Sequence, residues 1–184
     1  ERISGLSGRV YRDLNDDGYV DPGETGIAGA VVYLYGVTAN GPVSLAASAN
    51  GAGFYFFGDL ITGTYVLSET QPLGLFDGAE RLGTLGGVVA GAAPEFDRFE
   101  GIAFAAGQFG AEYNFAELPP SSLAGYVFYD ANNNGIRDGA EVLIAGVTVT
   151  LSGSDDLGRP VLITATTDAL SGFAFNGLRP GTYT

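Results

Sequence analysis

Residues 6–34 read LSGRVYRDLNDDGYVDPGETGIAGAVVYL, and residues 123–151 read LAGYVFYDANNNGIRDGAEVLIAGVTVTL. The two align without a gap at an offset of 117 (130 − 13), pairing Asp13 with Asp130, Asn15 with Asn132, Gly18 with Gly135, Asp21 with Asp138 and Glu24 with Glu141. Self-similarity at a fixed spacing marks a tandem repeat. Downstream, GFYFFGDLITGTYV from Gly53 corresponds to GFAFNGLRPGTYT from Gly172, with one residue of slippage near Asp59. In the first copy, segments 8–12, 30–37, 43–48, 53–57 and 64–68 place β-branched or aromatic residues at alternate positions between Gly, Asn or Pro, which predicts strands. Strands are also expected at 99–105 and 111–115 around a turn at Gly107, and no helix is expected. The fold class is therefore all-β, with tandem antiparallel β-sandwich, immunoglobulin-like repeats.

The offset sets the domain organisation. One complete repeat is expected over 1–117, with a core at 6–72 and an extension at 73–117, then a Pro-rich junction at 118–122 and a truncated second repeat at 123–184. The adjacent Pro119 and Pro120 should stiffen that junction toward an extended geometry. The second copy stops opposite Val66, in the middle of an expected strand, as a piece of a longer polypeptide would. Its open edge would accept a strand from a neighbouring chain.

The most acidic segment of each copy fits D-x-[DN]-x-[DN]-G-x5-E, from Asp13 to Glu24 and again from Asp130 to Glu141. Calcium is a hard cation that takes about six to eight oxygens. A loop of this pattern supplies side-chain oxygens at positions 1, 3, 5 and 9, a main-chain carbonyl at 7 and a bidentate Glu at 12. The first set is Asp13, Asn15, Asp17, the Tyr19 carbonyl, Asp21 and Glu24; the second is Asp130, Asn132, Asn134, the Ile136 carbonyl, Asp138 and Glu141. Gly18 and Gly135 sit where the chain must turn with positive φ. Acidic turns also occur without metal, but two matches at equivalent points of a repeat favour the ligand reading. A helix-flanked EF-hand is not expected, because both flanks alternate like strands. These are EF-hand-like calcium loops on a β framework.

An oxygen-only donor set suits Ca²⁺ better than transition metals, and Mg²⁺ prefers to keep its waters. Extracellular calcium modules bind at roughly 10⁻⁴ to 10⁻³ M, which would fill the loops outside a cell. Five carboxylates in the first loop, Asp13, Asp16, Asp17, Asp21 and Glu24, repel one another without a counter-ion, so metal should order it. Asn134 stands where the first loop has Asp17, which predicts weaker binding in the second.

Composition narrows function further. The chain has no Cys and no His, and all 8 basic residues are Arg, so disulfides, zinc-thiolate clusters, a His general base and a Lys nucleophile are all excluded. A net charge of −13 disfavours nucleic acids and anionic membranes. No apolar run is long enough to span a bilayer, and no signal peptide is marked at Glu1. A glycosidase would need paired carboxylates, and outside the metal loops the sequence marks no such pair.

The pattern G-x-V-[YF]-x-D-x-N-x-[DN]-G-x-x-D-x-x-E, followed by G-x-x-V-x-L, G-[FY]-x-F and [PT]-G-T-Y, resembles the SdrD B-like domain family over residues 6–72 and 123–184. These are calcium-binding B repeats of bacterial surface adhesins, within the wider Cna-B group. The resemblance implies a Cna-B-like sandwich, Ca²⁺ at the residues named above, and a stalk that calcium stiffens in a long cell-surface or secreted protein. Many Cna-B domains carry a Lys-to-Asn crosslink promoted by a Glu in a YxVxE-type strand. Glu69 in YVLSETQP holds a similar place, but without Lys that bond cannot form, and Glu69 is expected at the surface or hydrogen-bonded within its strand.

The expected function is a structural or adhesive, non-enzymatic building block of a bacterial surface filament or layer. Its expected partners are neighbouring repeats of the same chain or identical subunits. The alternative is a calcium-dependent carbohydrate- or ligand-binding module, for an extracellular matrix or glycan ligand. That alternative requires exposed aromatics clustered beside the metal, for which Tyr11, Tyr19, Phe76 and Tyr129 are candidates.

Overall fold

Period-two alternation in the sequence becomes alternation of burial. A computed structural model describes residues 4–90, 97–168, 170 and 172–184, and among them every regular element is a strand. Part of the expected extension, residues 91–96, lies outside the described residues. In β2 (Val31–Thr38), Val32 and Leu34 are buried while Tyr33 and Tyr35 face outward. Tyr65 and Leu67 point inward in the same way from β5 (Gly63–Glu69).

The chain divides into two compact units, Glu1–Pro119 and Pro120–Thr184. In the first unit, β1 (Gly5–Arg12) pairs antiparallel with β4 (Phe54–Gly58) and parallel with β9 (Phe109–Gly110) and β10 (Phe115–Leu118), and β6 (Phe76–Asp77) closes the far side of β10. The second sheet runs β3 (Gly41–Ser48), β2, β5, β8 (Arg98–Phe104), β7 (Val88–Val89). Leu6, Val10, Tyr55, Phe57 and Phe115 from the first sheet and Val32, Leu34, Tyr65, Leu67, Phe99, Ile102 and Phe104 from the second form one core. Its aromatic rings meet edge-on or tilted, with Phe99 4.9 Å from Phe115 and 5.4 Å from Tyr113, the geometry that ring quadrupoles favour.

Strands occur at 8–12, 30–37, 43–48, 53–57, 64–68 and 99–105 as expected, to within three residues at either end. The expectation of a strand over 111–115 is corrected. Glu112 takes a φ of +63°, which no strand can continue, so β9 stops at Gly110 and β10 starts at Phe115. The break carries Tyr113 into the core, where its carbonyl accepts a hydrogen bond from the Tyr55 hydroxyl (2.6 Å) and its amide donates to the Ser7 carbonyl (3.2 Å).

The second unit repeats the first five strands. In it β11 (Ser121–Gly125) pairs with β14 (Phe173–Leu178), while β12 (Thr148–Asp155) lies between β13 (Pro160–Thr166) and β15 (Gly181–Tyr183). Its core is small, Leu151, Phe175 and Leu178 with Val149, Ala165, Phe173 and Tyr183 packed around them. Both units use the G-T-Y motif alike: the Tyr65 hydroxyl donates to the Ile61 carbonyl (2.7 Å) and the Tyr183 hydroxyl to the Arg179 carbonyl (2.9 Å). Pro119 and Pro120 lie between the end of β10 and the start of β11.

Close backbone approach is most severe at Gly8, where an added Cβ would lie 1.7 Å from the Tyr113 carbonyl oxygen. We expect Gly8→Ala to lower stability in urea unfolding by about 1–3 kcal/mol. Gly51→Ala, with nothing within 4 Å of its Cβ, should stay within about 0.5 kcal/mol.

Candidate metal centre

The first acidic loop leaves the end of β1 and is tied into a ring by its own carboxylates. Asp13 is fully buried. Its Oδ1 accepts from the amides of Asn15 (3.1 Å) and Asp16 (2.6 Å), and its Oδ2 accepts from Gly18 (2.8 Å). Glu24 closes the ring, with Oε1 accepting from the Leu14 amide and Oε2 from the Asp21 amide, both at 2.8 Å. The side chains at positions 3, 5 and 9 converge: Asn15 Nδ2 lies 3.0 Å from Asp17 Oδ2 and 3.3 Å from Asp21 Oδ2. The amide of Tyr19 donates to Asp17 Oδ1 (2.9 Å). Gly18 takes a φ of +74° and Asp16 one of +57°.

The second loop repeats the main hydrogen bonds of this pattern. Asp130 Oδ2 accepts from Gly135 (2.8 Å), Glu141 receives the amides of Ala131 (2.9 Å) and Asp138 (3.0 Å), and Ile136 donates to Asn134 Oδ1 (2.7 Å). Asn132 and Asn134 both turn Nδ2 toward Asp138 Oδ2, at 2.8 and 3.3 Å. The Gly135 amide, with those of the other loop residues, holds the Asp130 carboxyl below the usual carboxylate range. In each loop an amide group now occupies the point where oxygens of positions 3, 5 and 9 meet. Turned over, the same Asn side chains present oxygen there, so both donor sets fit a hard divalent cation in chemistry and in convergence.

The loops differ in what covers them. In the first unit the segment after β6 lies over the turn. The Arg81 guanidinium stacks on the Tyr19 ring at 3.5 Å, and its Nε donates to the Asp17 carbonyl (3.1 Å). A Cβ on Gly18 would lie 2.5 Å from the Ala79 carbonyl oxygen. Asp13 is consequently fully shielded, while Asp130 is only half-buried. Of the candidate aromatics, Tyr11 is buried against expectation, on the face of β1 opposite Leu6 and Val10, near Asp13, Glu24 and Glu80, and Phe76 is half-buried. Tyr19 and Tyr129 are exposed, one beside each loop.

A further group of acids was not legible as a pair. Glu69, Asp97 and Glu117 bring carboxylate oxygens within 4.8 Å of one another, and Asp77, Glu80 and Asp97 do the same. The expectation of Glu69 at the surface is corrected: it is 8% exposed, with its carboxyl against that of Glu117. The reason is strand parity. Glu69 follows Tyr65 and Leu67 in the inward row of β5, Asp97 precedes Phe99 by two, and Glu117 follows Phe115 by two in β10. The expectation that carboxylates are paired only in the loops is corrected with it. Desolvation, reinforced by the neighbouring carboxylates, pushes Glu69, Glu80 and Glu117 far above the usual carboxylate range and raises Asp97 to about 8.

A family model described as SdrD B-like domain matches residues 5–119 and 121–184. The chain is 33% identical over 182 residues to serine-aspartate repeat-containing protein D of Staphylococcus aureus (strain Newman), covering 97% of this chain and 13% of that protein. It is 32% identical over 178 residues to serine-aspartate repeat-containing protein C of the same strain, covering 97% of this chain and 18% of that protein. The chain thus spans less than a fifth of the length of these relatives. Among solved structures, shaft pilin spaA from Lactobacillus rhamnosus GG overlaps with a TM-score of 0.39 and 16% identity, covering 98% of this chain and 85% of the pilin, too loosely to carry an argument.

The raised acids fix the sign of a pH response. A carboxyl protonated in the fold and ionised when unfolded contributes stability below its unfolded pKa, and loses it as pH rises through its folded pKa. In chelator, the midpoint of thermal unfolding should therefore fall between pH 5 and pH 9, through the region of Asp97 at about 8. A midpoint that rises over that interval would contradict the burial of these acids. Circular dichroism melts at fixed ionic strength make the comparison.

Proposed function

The chain belongs to the SdrD B-like domain family, and from that premise we propose that it is a calcium-stabilised structural segment of a larger bacterial surface protein, a stalk or filament building block without catalytic chemistry. The observation that carries this reading is the duplicated loop. Two turns 117 residues apart hold the same carboxylate-to-amide hydrogen bonds at Asp13 and Asp130 and at Glu24 and Glu141. A ring already closed in this way places its ligands with little ordering left to do, so binding free energy goes into fixing the loop against its strands. The partners of such a segment are neighbouring repeats or identical subunits, and its place is outside the cell, where millimolar Ca²⁺ fills about half or more of sites of roughly 10⁻⁴ to 10⁻³ M affinity. What supports a surface role is relationship to long proteins built with such repeats, together with an acidic chain lacking Lys, His and Cys.

The two loops should not be equivalent. The first has Asp17 and the covering Arg81 segment, while the second has Asn134 and a half-buried Asp130. Calorimetric titration of the full chain with Ca²⁺ should resolve a tighter event abolished by Glu24→Gln and a weaker event abolished by Glu141→Gln. A second loop that binds more tightly would reverse the ranking, and heats unaffected by either substitution would sink the assignment of the loops.

A further inference from the structure

Three features of the first unit have no task in the loop ligands or the core: the exposed Tyr33–Tyr35 pair on β2, the Phe56–Phe109 pair on the first sheet, and the Arg81 side chain that crosses the first loop. Nothing in the structure shows what would cover either aromatic face. Arg81, by contrast, has a defined target.

We infer that Arg81 is a positioning residue of the first loop, a clamp that holds the main chain at loop positions 5 and 7 in place for a calcium ion. The role rests on the calcium reading of the loop proposed above. Asp17 stands at position 5 and supplies a carboxylate, and Tyr19 stands at position 7 and supplies its carbonyl. Between them lies Gly18, at a φ of +74°. Glycine permits that turn and is also the most freely rotating joint of a chain, so its two neighbours are the ligands in greatest need of support. Asp13 and Glu24 are already fixed by amides at both of their oxygens.

Arg81 grips the joint from both sides. Its Nε donates to the Asp17 carbonyl (3.1 Å), and its guanidinium carbon lies 3.5 Å from the centroid of the Tyr19 ring. Gly18 itself is pressed from above: an added Cβ would lie 2.5 Å from the Ala79 carbonyl oxygen and 3.1 Å from Arg81 Cγ. Neither grip consumes a ligand atom, since Asp17 keeps its carboxylate and Tyr19 its carbonyl. The guanidinium is also not spent elsewhere, for the ion pairs among the described residues, Arg98–Glu100, Arg159–Asp155 and Arg179–Asp156, leave Arg81 aside.

The clamp is anchored behind. Arg81 forms a β-bridge with Asn114, whose Oδ1 accepts from the amide of Arg9 (2.9 Å) in β1, the strand that leads into the loop. Three residues on, the Thr84 amide donates to the Ala111 carbonyl (2.9 Å) and Thr84 Oγ1 accepts from the Ala111 amide (3.0 Å). Residues fixed before the ion arrives lower the ordering cost of binding. A positive charge beside a cation site would act in the opposite sense, by repulsion. Kinetics separates the two effects: a charge at the rim changes the association rate and its salt dependence, whereas lost contacts change dissociation.

Calorimetric titration and a chelator chase in stopped flow test this on the full chain carrying Glu141→Gln, which isolates the first loop. Arg81→Gln should raise the dissociation constant of that loop about three- to tenfold, through faster release of Ca²⁺ at an unchanged association rate. Arg81→Lys keeps the charge without the planar fork and should lose nearly as much. Tyr19→Ala should weaken binding to a similar extent, Tyr19→Phe should recover most of that loss by keeping the ring, and the Arg81→Gln, Tyr19→Ala double variant should lose less than the sum of the two. Arg81 is exposed, and in chelator its variants should unfold in urea at the parent's midpoint. Equal release rates in parent and Arg81→Gln, tighter binding without the guanidinium, full retention by Arg81→Lys, or a chelator midpoint that falls in step with affinity overturns the clamp and leaves the loop assignment standing. First-loop heats that survive Glu24→Gln would sink the loop assignment, and the clamp with it.

Discussion

Negative charge without lysine to relieve it is the constraint on which this structure turns. Two carboxylates about 4 Å apart repel by about 4 kcal/mol at an effective dielectric near 20, while a domain of this size is stable by only about 5–15 kcal/mol. The first unit gathers one group of acids in a loop and another inside the sandwich. Among the described residues neither group forms an ion pair with a basic side chain: Arg81 reaches the loop through a carbonyl and a tyrosine ring. Protons neutralise the buried group through neutral pH, up to the region of Asp97 at about 8, and cations can neutralise the loop.

Much of the architecture was legible because period-two alternation and turn residues coincide along the chain. Residues 31–38 and 63–69 alternate cleanly, and they form the middle of the larger sheet. The acidic loops were legible because the motif fixes both residue type and spacing, and it recurs at an offset of 117. What sequence reading missed came from long-range packing. The break at Glu112 depends on Tyr113 finding Ser7 and Tyr55, residues far away in the chain. Glu69 and Glu117 come from β5 and β10 and Asp97 from just before β8, so no local window holds them together. Their signal was present in parity: each extends an inward row of aromatic or aliphatic residues by one more position. An acid in such a row is usually read as a strand end.

The extension over 73–117 acquires a purpose from this arrangement. It supplies β6 to β10, it carries Asp77, Glu80, Asp97 and Glu117, and it lays Ala79 and Arg81 against the first loop. One stretch of chain thereby completes the sandwich, encloses the buried acids and shields Asp13. Family resemblance identified the loop and the core, whereas the connection between them lies in residues outside the shared motif.

The most direct test of the account is thermal unfolding of the full chain at pH 7.5, once in millimolar Ca²⁺ and once in chelator. Millimolar Ca²⁺ is about ten times a dissociation constant of about 10⁻⁴ M and adds about 1.4 kcal/mol per site, which corresponds in domains of this size to a rise of about 5 °C in the first unit's midpoint. Superimposable melting curves in the two conditions would contradict the claim that the acidic loops of this chain are built around calcium.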